Sequence, residues 1–170
     1  MRNILVHIFA FPLLVLTVSS LAENVDQSIQ ALKDEDSSVR ADAAMVLGEL
    51  GDAIAVEPLI HALEDENVSI RSESAKALEW IEDDRAIAPL IQALNDPDWR
   101  VRSSAALGLG QLKASEALDS LIPCLRDENS SVREKSAEAL GKIGSEKAVD
   151  PLIQTLRDED PVSDISLRKR

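Results

Sequence analysis

Residues 62–92 read ALEDENVSIRSESAKALEWIEDDRAIAPLIQ, and the landmarks of this stretch return at steps of 31 residues in both directions. Leu63 belongs to the series Leu32, Leu63, Leu94, Leu125 and Leu156. Asp65 belongs to Asp34, Asp65, Asp96, Asp127 and Asp158, and Arg71 to Arg40, Arg71, Arg102 and Arg133. Ala44/Ala75/Ala106/Ala137, Leu47/Leu78/Leu109/Leu140, Ala55/Ala86/Ala117/Ala148, Leu59/Leu90/Leu121/Leu152 and Ile60/Ile91/Ile122/Ile153 complete eight columns that are identical in every full copy. Chance does not align eight columns, so the chain is internally repetitive. The full units are 31–61, 62–92, 93–123 and 124–154; residues 23–30 read as the end of an earlier unit and 155–170 as an incomplete one.

Each unit reads as two antiparallel helices. In the first, Val39, Ala43, Ala44, Leu47 and Leu50 recur at helical spacing over about Ser38 to Leu50 and make a buried stripe for a helix A. Asp36 and Ser37 offer N-cap oxygens, and Gly51 suits the left-handed residue that ends a helix. A helix B follows, with Val56, Leu59, Ile60 and Leu63 inward and Pro58, Pro89 and Pro151 early in their copies. A missing N–H costs little there, because first-turn donors are unpaired anyway. One hairpin cannot bury its own apolar stripe, so the units must stack. Strand-period alternation is absent from the sequence, and the expected fold is an all-α solenoid of stacked antiparallel helix pairs.

The helix-B proline, the turn aspartate and the Val/Ile-Arg entry to helix A resemble the short HEAT-like repeat of phycobilin lyase subunits, an armadillo-type superhelix. The resemblance spans residues 23–160 and implies a fold more than a chemistry, since such arrays mostly serve as protein-binding scaffolds. It also raises a bilin lyase or lyase subunit as the alternative function. HEAT-type deoxyhypusine hydroxylases use His-Glu pairs for a di-iron centre; here His61 is followed by Ala62, and the sequence contains no such pair.

Composition narrows the function further. Lys and Arg number 18 against 31 Asp and Glu, a net charge of −13, which is the reverse of a nucleic-acid binder. Aromatic residues are 2% of the chain, and outside the N-terminal apolar run only Trp80 and Trp99 remain, too few for a stacking platform or a convincing bilin pocket. No cofactor or metal is expected, and no loop matches a calcium-site pattern. The Asp–Arg repetition, exemplified by Asp65 and Arg71, suits a structural ladder better than a catalytic row, because identical residues in every copy do not make a unique active site. Cys124 takes a small, partly buried column and has no histidine to activate it. Trp80 is expected to be exposed on helix A and Trp99 to lie in the turn before it.

Columns that differ between copies mark the expected working surface. Along helix B these are Ile54/Arg85/Glu116/Lys147, Glu57/Ala88/Asp119/Asp150, His61/Gln92/Pro123/Gln154 and Glu64/Asn95/Arg126/Arg157. They are spaced three or four residues apart, as on one helical face, which in solenoids typically lines the concave side. The reading is a non-enzymatic scaffold that binds another protein through this face. Its first two full units carry −5 each and the next two −1 each, so a partner drawn to the N-terminal half would be basic.

Residues 1–22 read as an export signal: Arg2, then an apolar run of about 15 residues, then small residues ending at Ala22. Cleavage would leave Glu23 first and place the protein in the periplasm, outside the cell or on its surface; retention would make the segment a membrane anchor. At the other end the repeat register fails after Asp160. Residues 161–170 are expected to be a frayed partial lid, leaving Leu152, Ile153 and Leu156 poorly covered and open to end-to-end self-association.

Overall fold

The computed structural model describes residues 23–158, and the expectations for residues 1–22 and for the tail 161–170 lie outside them. Among the described residues all regular structure is helical. Helix α1 covers 23–31. The A helices are α2 (Ser37–Leu50), α4 (Val68–Ile81), α6 (Trp99–Gln111) and α8 (Ser130–Ile143). The B helices are α3 (Val56–Ala62), α5 (Ile87–Ala93), α7 (Leu118–Cys124) and α9 (Val149–Asp158). None of these helices is long and apolar enough to cross a membrane.

The local chemistry of each unit explains its boundaries. Asp36, Asn67, Asp98 and Asn129 cap the four A helices, each side chain accepting from the backbone N–H two residues on. Such a cap contributes about 1 kcal/mol per helix. Trp99 is the first residue of α6 rather than part of the preceding turn, because Asp98 takes the cap and fixes the start immediately after itself. At the far end Gly51 and Gly144 adopt φ of 66° and 69°, the left-handed geometry that glycine allows without strain. Units two and three reach the same region with Glu82 (φ 54°) and Lys113 (φ 49°), at a steric cost of roughly 1–2 kcal/mol each.

Helix B differs from the sequence expectation in its entry. A 3-10 turn precedes each one, at Ala53–Ala55, Asp84–Ala86, Ser115–Ala117 and Glu146–Ala148. Asp52, Asp83 and Ser145 cap three of these turns by accepting from the N–H two residues later. The α-helical part of B is thereby shortened to seven residues in the first three full units.

The core is the stack of invariant columns. Leu47, Leu78, Leu109 and Leu140 are buried, as are Leu59, Leu90 and Leu121, with Ala55, Ala86, Ala117 and Ala148 between them. Each buried leucine contributes about 2 kcal/mol of apolar transfer. Val39 departs from its column: it is 39% exposed, whereas Ile70, Val101 and Val132 are fully buried. Only α1 stands before this unit among the described residues, so the outer side of α2 has no A helix to cover it there.

Successive A helices make the closest backbone approaches of the array, while neighbouring B helices stand further apart. Small residues permit the A contacts. One column reads Ala43, Ser74, Ala105 and Ser136, all buried. The Ser74 and Ser136 hydroxyls find no hydrogen-bond partner. A buried hydroxyl without a partner is destabilising, so Ser74→Ala and Ser136→Ala should each leave stability unchanged or raise it by up to about 1 kcal/mol. Urea unfolding of the two variants would measure this.

Candidate functional site: grooves between the B helices

Because the B helices are spaced by Ile, Leu and Pro side chains rather than by Ala and Gly, grooves open between them. The first lies between α1 and α3, measures about 430 Å³, and is lined by Ile29, Leu32, Pro58 and Ala62 with Lys33, Glu57, His61 and Glu64 at its margin. The second, about 220 Å³, lies between α3 and α5 and uses Ile60, Leu63, Pro89 and Ala93 with Glu64, Gln92 and Asn95. The third, about 550 Å³, lies between α7 and α9 and uses Ile122, Leu125, Pro151 and Thr155 with Arg126, Asp150 and Gln154. Floor residues in the three grooves fall in the same repeat register. The floor is thus the same three times over, with Thr155 for alanine in the last, while the margin changes from groove to groove.

All thirteen residues named from sequence as the binding set are exposed: Ile54, Glu57, His61, Glu64, Arg85, Gln92, Asn95, Glu116, Asp119, Arg126, Lys147, Asp150 and Gln154. The structure nevertheless divides them. Glu57, His61, Glu64, Gln92, Asn95, Arg126, Asp150 and Gln154 border the three grooves. Ile54, Arg85, Glu116 and Lys147 sit in the 3-10 turns instead of on a continuous helical face. Arg85 in particular braces two units, donating to the Ala53 carbonyl at 2.8 Å and to both Asp83 oxygens. Those bonds from Arg85, with the Arg85 N–H, lower the half-buried Asp83 carboxyl to about 2. Asp119 is exposed on α7.

The turns at the ends of the first two grooves are fixed by an Asp–Arg ladder. Arg40 donates to Asp65 from Nε (2.9 Å) and Nη2 (3.3 Å), and its Nη1 reaches the Asp34 and Glu35 carbonyls. Arg71 repeats this with Asp96, and Arg102 with Asp127. The side-chain pairing therefore runs between units, 25 residues forward, as expected of a structural ladder. Arg71 does touch the Asp65 turn, but through its backbone carbonyl. Each paired aspartate also accepts the N–H two residues on, at Asn67, Asp98 and Asn129. Arg102 holds the Asp127 carboxyl below the usual carboxylate range against the opposing effect of burial. At Asp65 burial is the largest single influence and raises the carboxyl, but Arg40, the Asn67 N–H and Arg71 together outweigh it.

The remaining candidates are quiet. Cys124 Sγ donates to the Ser120 carbonyl at 3.3 Å, and burial followed by the Asp127 charge pushes its thiol pKa up, away from a reactive thiolate. His61 is exposed at the first groove. Trp80 is 51% exposed on α4, with one ring edge against Gly48. Among the described residues no three His, Cys, Asp or Glu side chains converge in a way that could hold a metal ion.

Comparison with known proteins adds to this geometry. A family model for HEAT repeats matches residues 25–95 and 87–166. The complex of CpcE and CpcF of phycocyanin lyase from Nostoc sp. PCC7120 is similar at 34% identity and a TM-score of 0.72, over 84% of this chain and 60% of that one. Human deoxyhypusine hydroxylase in complex with glycerol is similar at 26% identity and a TM-score of 0.60, over 69% of this chain and 42% of that one. A designed armadillo repeat protein in complex with a (KR)4 peptide shares the fold alone, at 17% identity and a TM-score of 0.56 over 75% of this chain and 68% of that one. The chain thus spans 60% of the phycocyanin lyase chain and 42% of the deoxyhypusine hydroxylase chain, under two thirds of each. No curated protein matches it in sequence.

Proposed function

We propose, from the premise that this chain belongs to the HEAT-repeat family, that it is a non-catalytic scaffold which holds an extended segment of another protein across its B-helix grooves. One observation carries the reading: three grooves share an apolar floor while their margins differ. A repeated floor gives uniform affinity for apolar side chains, and a changing margin gives each groove its own preference, which is how modular recognition separates binding from specificity. Cys124 is hydrogen-bonded and shifted away from thiolate, which disfavours a nucleophilic role for it.

A second reading has its own observation. The 34% identity to the phycocyanin lyase complex favours a role as one subunit of a lyase-like assembly. The two readings separate in one experiment. A photo-crosslinking amino acid placed at Gln92 or Gln154 in the full chain, expressed in its native host, should capture a protein partner. The same residue at Gln111, on the A side, should not. Capture only from Gln111, or recovery of a covalent bilin adduct on an added acceptor protein, would overturn the scaffold reading. The site of capture also bears on export, the proposed fate of a chain beginning with residues 1–22 as read above. N-terminal analysis of the same sample should then begin at Glu23.

A further inference from the structure

We propose that residues 161–167 of this chain, which lie outside the described residues, seat in the groove between α8 and α9 as the opening turns of a fifth A helix. This goes beyond the scaffold reading and does not rest on it. The groove measures about 520 Å³ and is lined by Ser130, Glu134 and Ala137 of α8 with Leu152, Thr155 and Leu156 of α9. In the earlier units the same columns are covered. Leu59, Leu90 and Leu121 are fully buried, whereas Leu152 is only partly so. Leu94 and Leu125 are 3% exposed, against 72% for Leu156. Ala44, Ala75 and Ala106 are fully buried, and Ala137 is not. The cover in those units is the next A helix: α4, α6 and α8 each pack on the B helix before them. The α8–α9 groove therefore has the shape and the apolar lining of an A-helix seat.

The sequence that follows α9 fits this seat. Asp158-Glu159-Asp160 repeats Asp34-Glu35-Asp36, Asp65-Glu66-Asn67 and Asp127-Glu128-Asn129, each of which delivers the chain to the next A helix. The third residue of those turns is the cap, with extended backbone at ψ 119° to 127°. A residue before proline is steered to that same region, and Pro161 follows Asp160 at the first helical position, where its missing N–H costs little. Val162 and Ser166 then keep the four-residue spacing of Ile70 with Ser74 and of Val132 with Ser136, the pairs that α4 and α8 bury. Val162 stands one residue nearer its cap than Val132 does, a difference of about 100° that rotation of the short helix takes up. Residues 161–170 carry three cations and one carboxylate, and so fold back with opposite charge onto a chain of net −13. A tether of a few residues gives the segment an effective concentration on the order of 1 mM, which a second copy in dilute solution does not match. Thr155 lines both this groove and the α7–α9 groove, so the seated segment also steadies the far wall of the third B-helix groove.

Thiol accessibility tests the seat. In a Cys124→Ser background, Leu156→Cys should react with a small maleimide at least about tenfold more slowly than Leu156→Cys combined with Val162→Asp. The readout is this rate relative to that of Ile153→Cys, which shares α9 but does not line the groove, so that general loosening of the helix cancels. Asp164→Ala, on the opposite side of the new helix from Val162 and Ser166, should leave the protection intact. Equal relative rates with and without Val162→Asp would overturn the proposal. Protection that appears only as protein concentration rises from about 1 to 100 μM would also overturn it, by assigning the groove to a second copy.

Discussion

Gly110→Ala should destabilise the solenoid by about 2 kcal/mol, and Gly141→Ala should stabilise it by about 0.5–1 kcal/mol. Both glycines lie inside A helices, where alanine is ordinarily preferred because glycine loses more backbone freedom on folding. What separates them is the neighbouring helix. A Cβ built on Gly110 would sit 2.6 Å from the Ala139 Cα and 2.8 Å from its Cβ. The obstructing atom is backbone, so relief requires α6 and α8 to move apart. At Gly141 a Cβ would meet nothing within 4 Å, leaving only the propensity gain. Gly48 resembles Gly110, with Ala77 Cα at 2.8 Å, so Gly48→Ala should follow the destabilising case. Urea denaturation of the three variants gives the comparison directly, and a stabilised Gly110→Ala would show that the α6–α8 approach is looser than described.

This contact also shows where sequence reading stopped. The repeat register, the all-helical hairpins and the buried leucine columns were legible because identical residues 31 apart can only pack equivalently. Gly110 carries no such mark. Its column reads Gly48, Glu79, Gly110 and Gly141, and one of its glycines is in open space. Only the neighbouring helix reveals which glycine is required. Glu79 in the same column is partly buried, and burial raises its carboxyl pKa.

The site was legible in part for a similar reason. Variable columns mark exposure well, and every residue chosen on that basis is exposed. They do not mark concavity. Groove floors are made of Pro58, Pro89, Pro151 and the Ile and Leu columns, which from sequence were read as helix entry and core. Residues such as Ile60 and Leu63 are partly buried, covered on one side by the stack and open on the other. The 3-10 turns that carry Ile54, Arg85, Glu116 and Lys147 away from those three grooves also leave no signature in hydrophobic period, although Arg85 and Glu116 line a further cavity of about 600 Å³ with Ile87, Ala88 and Ile91.

The ladder has a further ambiguity that periodicity cannot resolve, since every internal Arg has an Asp in register both 6 residues before and 25 after it. The structure chooses the second, and this choice makes the pair a coupling between units. Arg102→Ala should therefore cost about 3 kcal/mol at neutral pH. It removes two bonds to Asp127, each 2.8 Å, and two to the Asp96 and Pro97 carbonyls, leaving the Asp127 carboxylate partly buried without its cation. Because each unit in a solenoid leans only on its neighbours, losing an internal rung should weaken cooperation between the halves. Urea unfolding should broaden or separate into two steps, as a simple surface salt bridge, at about 0–1 kcal/mol, would not cause. The double replacement Arg102→Met with Asp127→Leu should cost less than Arg102→Ala alone, since no buried charge is stranded. Acid provides an independent check of the same rung. Arg102 depresses the Asp127 carboxyl, so its contribution is present above the unfolded carboxylate pKa and is lost as pH falls through the lower folded value. Between about pH 7 and pH 3 the native protein should thus lose more stability than Arg102→Ala, whose Asp127 keeps only the Asn129 N–H and the more distant Arg133 charge to lower its carboxyl. An equal loss in both proteins would show that the guanidinium does not sustain the carboxylate charge and that this rung does not couple the units.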